Sequence, residues 1–129
     1  MRKAFLICSA LLLLGILMQS CFDLFDLPKG PNDGRLVMYP TTEPMTDSIV
    51  IDSAENVSTV RYLLAGHLSD TMFLLISDGY GTEWYDTLIG CVERDEGPYD
   101  WYDNRMSVQY YSKNVSDGDS VVMTCWFVK

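Results

Sequence analysis

The chain has 129 residues, 18 Asp and Glu against 9 Lys and Arg, and a formal net charge of −9. That sign of charge repels phosphate backbones and anionic lipid surfaces, which argues against nucleic-acid binding and against electrostatic docking on a membrane. The single histidine, His67, excludes a metal site built from clustered imidazoles, and no cofactor motif occurs.

The first segment reads MRKAFLICSALLLLGILMQSC. Arg2 and Lys3 precede fifteen uncharged residues, Ala4 to Met18, followed by polar Gln19 and Ser20. A charged start ahead of an apolar run of this length is the layout of an export leader. A helix crossing roughly 30 Å of hydrocarbon needs about 20 apolar residues, more than this run supplies. Ordinary signal cleavage wants small residues at −3 and −1, and Met18 stands at −3. With Met18 at −3, Ser20 at −1 and Cys21 at +1, residues 1–21 instead resemble the bacterial lipoprotein precursors. The resemblance implies a diacylglyceryl group on the Cys21 thiol, cleavage between Ser20 and Cys21, and acylation of the freed amine, commonly by palmitate. It places the expected product at the outer membrane, on the periplasmic or the cell-surface face, held by its N-terminal lipid. Asp23 and Asp26, just after the cysteine, resemble residues that mark surface display in some Gram-negative groups. Loss of Arg2 and Lys3 with the leader takes the formal charge to −11.

After the leader (residues 1–20), an acylated N-terminus and flexible tether are expected over 21–34, where Pro28, Gly30, Pro31 and Gly34 break regular structure. One domain is expected over 35–129. Short apolar runs follow one another between turn clusters: Leu36–Tyr39, Ile49–Ile51, Met72–Ile76, Trp84–Val92, Met106–Tyr111 and Val121–Val128. Met72–Ile76 is apolar at every position and reads as a strand covered on both faces. Met106, Val108 and Tyr110 alternate with polar residues and Tyr111, the period of a half-buried strand. Gly66-His67-Leu68-Ser69-Asp70 reads as a hairpin loop, and Glu93 to Arg105 as an acidic loop. The fold class is therefore all-β, a single Ig-like antiparallel β-sandwich of about seven strands. The alternative is α+β with a helix near 53–66, because Asp52-Ser-Ala-Glu55 resembles a capping box and Val57, Val60 and Leu64 recur at helical spacing. Val57 to Val60 are poor helix formers, and Val60, Tyr62 and Leu64 also alternate, which favours the strand.

With Cys8 in the leader and Cys21 lipidated, Cys91 and Cys125 remain. An oxidising compartment can bridge such a pair, and two buried thiols are the other reading. The densest polar stretch is ERDEGPYDWYDNR, where Tyr99, Trp101 and Tyr102 sit among carboxylates. Exposed aromatics beside carboxylates suit a sugar ring or a protein ligand; the plainer reading folds these rings back onto the sandwich edge. Calcium held by Asp95, Asp100 and Asp103 is weighed and set aside, since the EF-hand spacing is absent, so no metal is expected. No nucleophile motif accompanies His67, and the domain offers little cleft for a carboxylate pair, so no enzyme is expected. The sequence thus reads as a small envelope lipoprotein acting by binding a glycan or an envelope protein. The rivals are a structural accessory subunit of a membrane-associated complex and, last, a small hydrolase.

Overall fold

The computed structural model describes residues 33–52 and 56–128. The leader, the lipidation site Cys21, most of the tether and the capping-box residues Ser53 to Glu55 lie outside the described residues. Six antiparallel strands form one sheet: β1 (Asp33–Met38), β2 (Met45–Val50), β3 (Thr59–Ser77), β4 (Glu83–Asp100), β5 (Arg105–Ser112) and β6 (Ser120–Val128). The described part is all-β. Residues 59–66 are strand, so the helical alternative fails over them. Asp33 and Gly34, expected in the tether, begin β1.

Two strands are far longer than the sequence suggested, at 19 and 18 residues. The expected hairpin loop at 66–70 is strand, because β3 runs through it. The expected acidic loop is mostly strand too, since β4 continues to Asp100 and only Trp101 to Asn104 turn the chain. Local polarity misled in both places: at 66–70 polar residues flank the one buried side chain Leu68, and in β4 the inward polar residues Asp86, Arg94 and Glu96 bond to one another.

The consequence is a sheet folded over itself. Along its whole length β3 pairs on one edge with β4. Its other edge changes partner midway, from β6 opposite Thr59–His67 to β5 opposite Met72–Ser77. The first layer is therefore β4–β3–β6–β1 and the second β4–β3–β5–β2, joined where β3 and β4 bend. The free ends of the layers nearly meet and the sheet is almost a barrel. At that seam β1 approaches β2 so closely that a Cβ on Gly34 would overlap Ile49 Cγ2. The core lies between the layers, from Val60, Leu64, Leu68, Met72 and Ile76 of β3 to Met106 and Val108 of β5 and Val121, Met123 and Cys125 of β6.

The bend in β3 falls between Leu68 and Met72, where the register with β4 shifts. Ser69 to Thr71 leave the ladder there, and side chains of the β5–β6 segment take their polar groups. Ser69 donates to Asp119 twice, from its backbone N–H and its hydroxyl, each at 2.8 Å. The Ser112 hydroxyl lies 2.7 Å from Thr71 O and 2.8 Å from Asn114 O, while Asn114 Nδ2 donates to Asp70. Opposite the bend, Gly90 of β4 takes φ 70°, a conformation that side chains disfavour. Asp119 is only 6% exposed, so its two charge-assisted bonds form with little competition from water. Asp119→Ala is expected to lower stability by about 2–3 kcal/mol, because it strands the Ser69 N–H at the bend. Asp119→Asn, keeping one acceptor, should lose less; urea midpoints of the two variants check this.

Candidate binding face

Because β5 and the second half of β3 bury alternate residues, the other set faces outward in lateral rows fixed by the register. One row is Tyr85, Leu75, Gln109 and Thr46, from β4, β3, β5 and β2. The next is Thr87, Phe73 and Tyr111. On the other side of the first row stand Glu83, Ser77, Ser107 and Ser48. Two shallow depressions lie on this face. An aromatic one of about 320 Å³ is lined by Phe73, Leu75, Tyr85, Thr87, Gln109 and Tyr111 among others. A polar one of about 410 Å³ is lined by Thr46, Ser48, Ser77, Arg105 and Ser107 among others.

Tyr85 is 77% exposed. Phe73 and Tyr111 stack with centroids 5.0 Å apart, and Lys113 Nζ sits 6.0 Å from the Phe73 centroid. Large rings held in water on a strand face are informative, since singly scattered apolar residues are ordinary but a contiguous set is not. The sequence reading missed this face. It took Met72–Ile76 as covered on both sides, whereas Phe73 and Leu75 are only half-buried. Tyr111 at the outward parity of an otherwise alternating strand is the signal that points to it.

The ligand-binding residues expected from sequence lie elsewhere, and the structure corrects them. Trp101 is fully buried, so its indole cannot be a contact surface. It stacks on Trp84 at 5.4 Å and meets Phe127 edge-on at 6.5 Å. Its ring N–H donates to Arg105 O at 3.1 Å, which satisfies the one polar atom of the indole. Tyr99 is half-buried against Tyr62 and Trp84, at 5.9 and 5.6 Å. Only Tyr102, 68% exposed, stands in solvent, apart from the other two. The plainer reading, rings folded back onto the sandwich, describes Trp101 and Tyr99.

Above these rings β4 is fastened to itself. Asp86 and Arg94 lie on opposite sides of the Gly90 bend, and both point inward. Arg94 Nη1 donates to Asp86 Oδ1 at 3.0 Å and Arg94 Nε to Glu96 Oε1 at 3.0 Å. The Tyr99 hydroxyl donates to Glu96 at 2.8 Å. Hydrogen bonds from Arg94 to Asp86 and Glu96 hold its guanidinium charged well beyond its ordinary range.

The two cysteines are not brought together. Cys91 and Cys125 lie on opposite edges of β3, opposite His67 and Tyr62. That separates them by roughly 17 Å along the strand and about 10 Å across it, beyond the reach of a disulfide. Cys125 is a buried free thiol, and burial pushes it up to about 12, so it stays protonated at neutral pH. Cys91 is not without a partner, but that partner is not Cys125.

The residues weighed for catalysis or metal are likewise dispersed. His67 Nδ1 is 3.8 Å from Asp119, too far for a hydrogen bond, and the Ser69 hydroxyl donates to Asp119 and not to the imidazole. Asp95 is paired with Arg61, Asp103 accepts from Gly79 N–H, and Asp100 ends β4. Among the described residues no group of three or more His, Cys, Asp or Glu could hold a metal ion. No protein-family model, curated protein or solved structure matches the chain.

Trp101→Ala is expected to lower stability by about 3–5 kcal/mol, the usual loss for a buried Trp, measured by denaturant titration. Alkaline pH should also unfold the protein. Burial raises the Tyr62 phenol, and the hydrogen bond to Glu96 raises Tyr99. Folded-state values above the unfolded value of about 10 mean that the unfolded chain releases these protons first. Their contribution is intact below about pH 10 and is lost as pH rises above it, and Tyr62→Phe should flatten that loss in melting curves taken from pH 8 to 12.

Proposed function

We propose that the protein is a lipid-anchored binding module of the bacterial outer membrane, whose ligand, a glycan or an envelope protein, sits on the outward face of the β4–β3–β5–β2 layer. The observation that carries this reading is that face itself: rings set in register over one depression, beside a second lined by serines together with Asp47, Asp78 and Arg105. The lipobox residues Met18 to Cys21 support the anchor. Two or three acyl chains on one residue hold a protein stably at a bilayer, where one is marginal. The mode of action is recognition, without catalysis. A stiff sheet face is all it requires, so it holds whether or not the sandwich is of the Ig-like kind.

Anchor and face are tested separately. Expressed in a Gram-negative host, the full chain should incorporate labelled palmitate and partition into detergent, and Cys21→Ala should abolish both. A Cys21 found by mass spectrometry in a disulfide, with no thioether, overturns the anchor. Leu75→Arg puts a charge in the middle of the face at a half-buried position. It should abolish capture on glycan arrays and from displayed peptide libraries while the circular dichroism spectrum stays unchanged.

A further inference from the structure

We propose that this face holds an uncharged glycan, with one sugar ring laid over the aromatic depression of Tyr85, Phe73 and Tyr111 and its neighbours hydrogen-bonded towards Ser107 and Ser48. The proposal rests on reading the face as the binding surface and adds the chemistry of its ligand.

The first argument is charge. In a chain of net charge −9, the two rows of the face that carry the rings, Tyr85–Leu75–Gln109–Thr46 and Thr87–Phe73–Tyr111, hold no carboxylate, ammonium or guanidinium group, and the serine row holds one, Glu83. The outward face of the other layer differs sharply. Its rows Glu93–Ala65–Val122–Val37 and Asp95–Leu63–Thr124–Arg35 carry charges at their ends, with Arg61 and His67 on the flanking rows. The one carboxylate lining the aromatic depression, Asp86, is already bound by Arg94. An anionic ligand would meet the field of an acidic protein, and a cationic one would find no free carboxylate in the depression. An uncharged ring matches the aromatic depression, and in the polar one Asp47, Asp78 and Arg105 can accept from and donate to sugar hydroxyls.

The second argument is the mixture of groups. A pyranose has an apolar C–H face and a rim of hydroxyls. Tyr85, Phe73 and Tyr111 supply rings for the first, Phe73 stacked beside Tyr111 at 5.0 Å. Gln109, Thr46, Thr87 and the serine row supply short donors and acceptors for the second. Rows on a strand are spaced by two residues, roughly 7 Å, so the rings and the serine row stand apart by one or two such steps. A glycan of a few units spans that distance. A second copy of the chain is disfavoured by its own negative charge.

The test is affinity electrophoresis of the full chain in detergent through gels containing mixed-linkage β-glucan, xylan, galactomannan or amylose, with polygalacturonate as the charged control. At least one neutral polymer should retard the protein, and polygalacturonate should not. Tyr111→Ala and Tyr85→Ala should each weaken that retardation about tenfold, the value of roughly one good ring contact. Gln109→Ala should weaken it several-fold. Tyr85 is so exposed that its removal leaves the melting temperature unchanged, which separates lost binding from lost folding. Retardation by polygalacturonate alone, or retardation that survives the Tyr85 and Tyr111 changes, overturns the proposal. So does the absence of retardation by every neutral polymer, and a random peptide library panned against wild type and Leu75→Arg then separates two failures. Peptides captured by wild type only mean that the face binds but the ligand is protein. No capture at all removes the binding face together with its glycan.

Discussion

The structure depends on one passage of chain, the bend of β3 between Leu68 and Met72. On its N-terminal side β3 belongs to one layer and on its C-terminal side to the other, so every long-range pairing is decided by where it turns. A bend in a strand frees backbone groups that the ladder would otherwise satisfy, and buried groups of that kind must find partners. Here they find them in residues 112–119, the segment joining β5 to β6. Asp119, Ser112 and Asn114 close onto Ser69, Asp70 and Thr71. The same segment that delivers β5 to one half of β3 and β6 to the other thus fixes the point at which the halves divide. Gly66 lets β6 run close to β3 just before the bend, where a Cβ would overlap Ser120 O.

The bend carries a second consequence through β4. That strand follows β3 around the corner, which brings Asp86 and Arg94, eight residues apart, into contact over Trp84, Tyr99 and Trp101. The ion pair is half-exposed, so its own contribution is modest. Its role is placement. It ties the two arms of β4 together, and by engaging Asp86 it removes the one acid from the wall of the aromatic depression.

Much of this was legible in the sequence. Alternation in Met106–Tyr111 gave a strand with the observed inward set, and the poor helix formers at 57–60 argued correctly for strand over helix in the described residues. The bend was not legible, because Gly-His-Leu-Ser-Asp carries the composition of a turn, and only the pairing of residues far apart in sequence shows that the chain continues through it. The site was missed for a related reason. Composition drew the eye to Trp101 among carboxylates, yet that indole is buried, its N–H satisfied by Arg105 O. Nothing local to residues 100–103 reports this, since the rings that cover Trp101 come from β4 and β6. The exposed rings are instead spread over β3, β4 and β5 at one position each, and only the register assembles them.

The acidic stretch that looked like a site has a physical role as an edge. Among the described residues β4 pairs only with β3, so its other side offers backbone groups to any passing strand. Native sheets protect such edges with charge, bulges and proline. β4 has all three: Glu83, Glu93, Asp95 and Asp100 on exposed positions, Gly90 and Gly97 at positive φ, and Pro98 near its end. Like charges along the strand repel a second copy most strongly in the pairing direction. Four of the 18 acids, Glu83, Glu93, Asp95 and Asp100, therefore stand where self-association would begin, while the two ring-bearing rows of the neighbouring outward face carry none. That division of surface sets charge along the edge that could pair with another strand and rings across the face beside it.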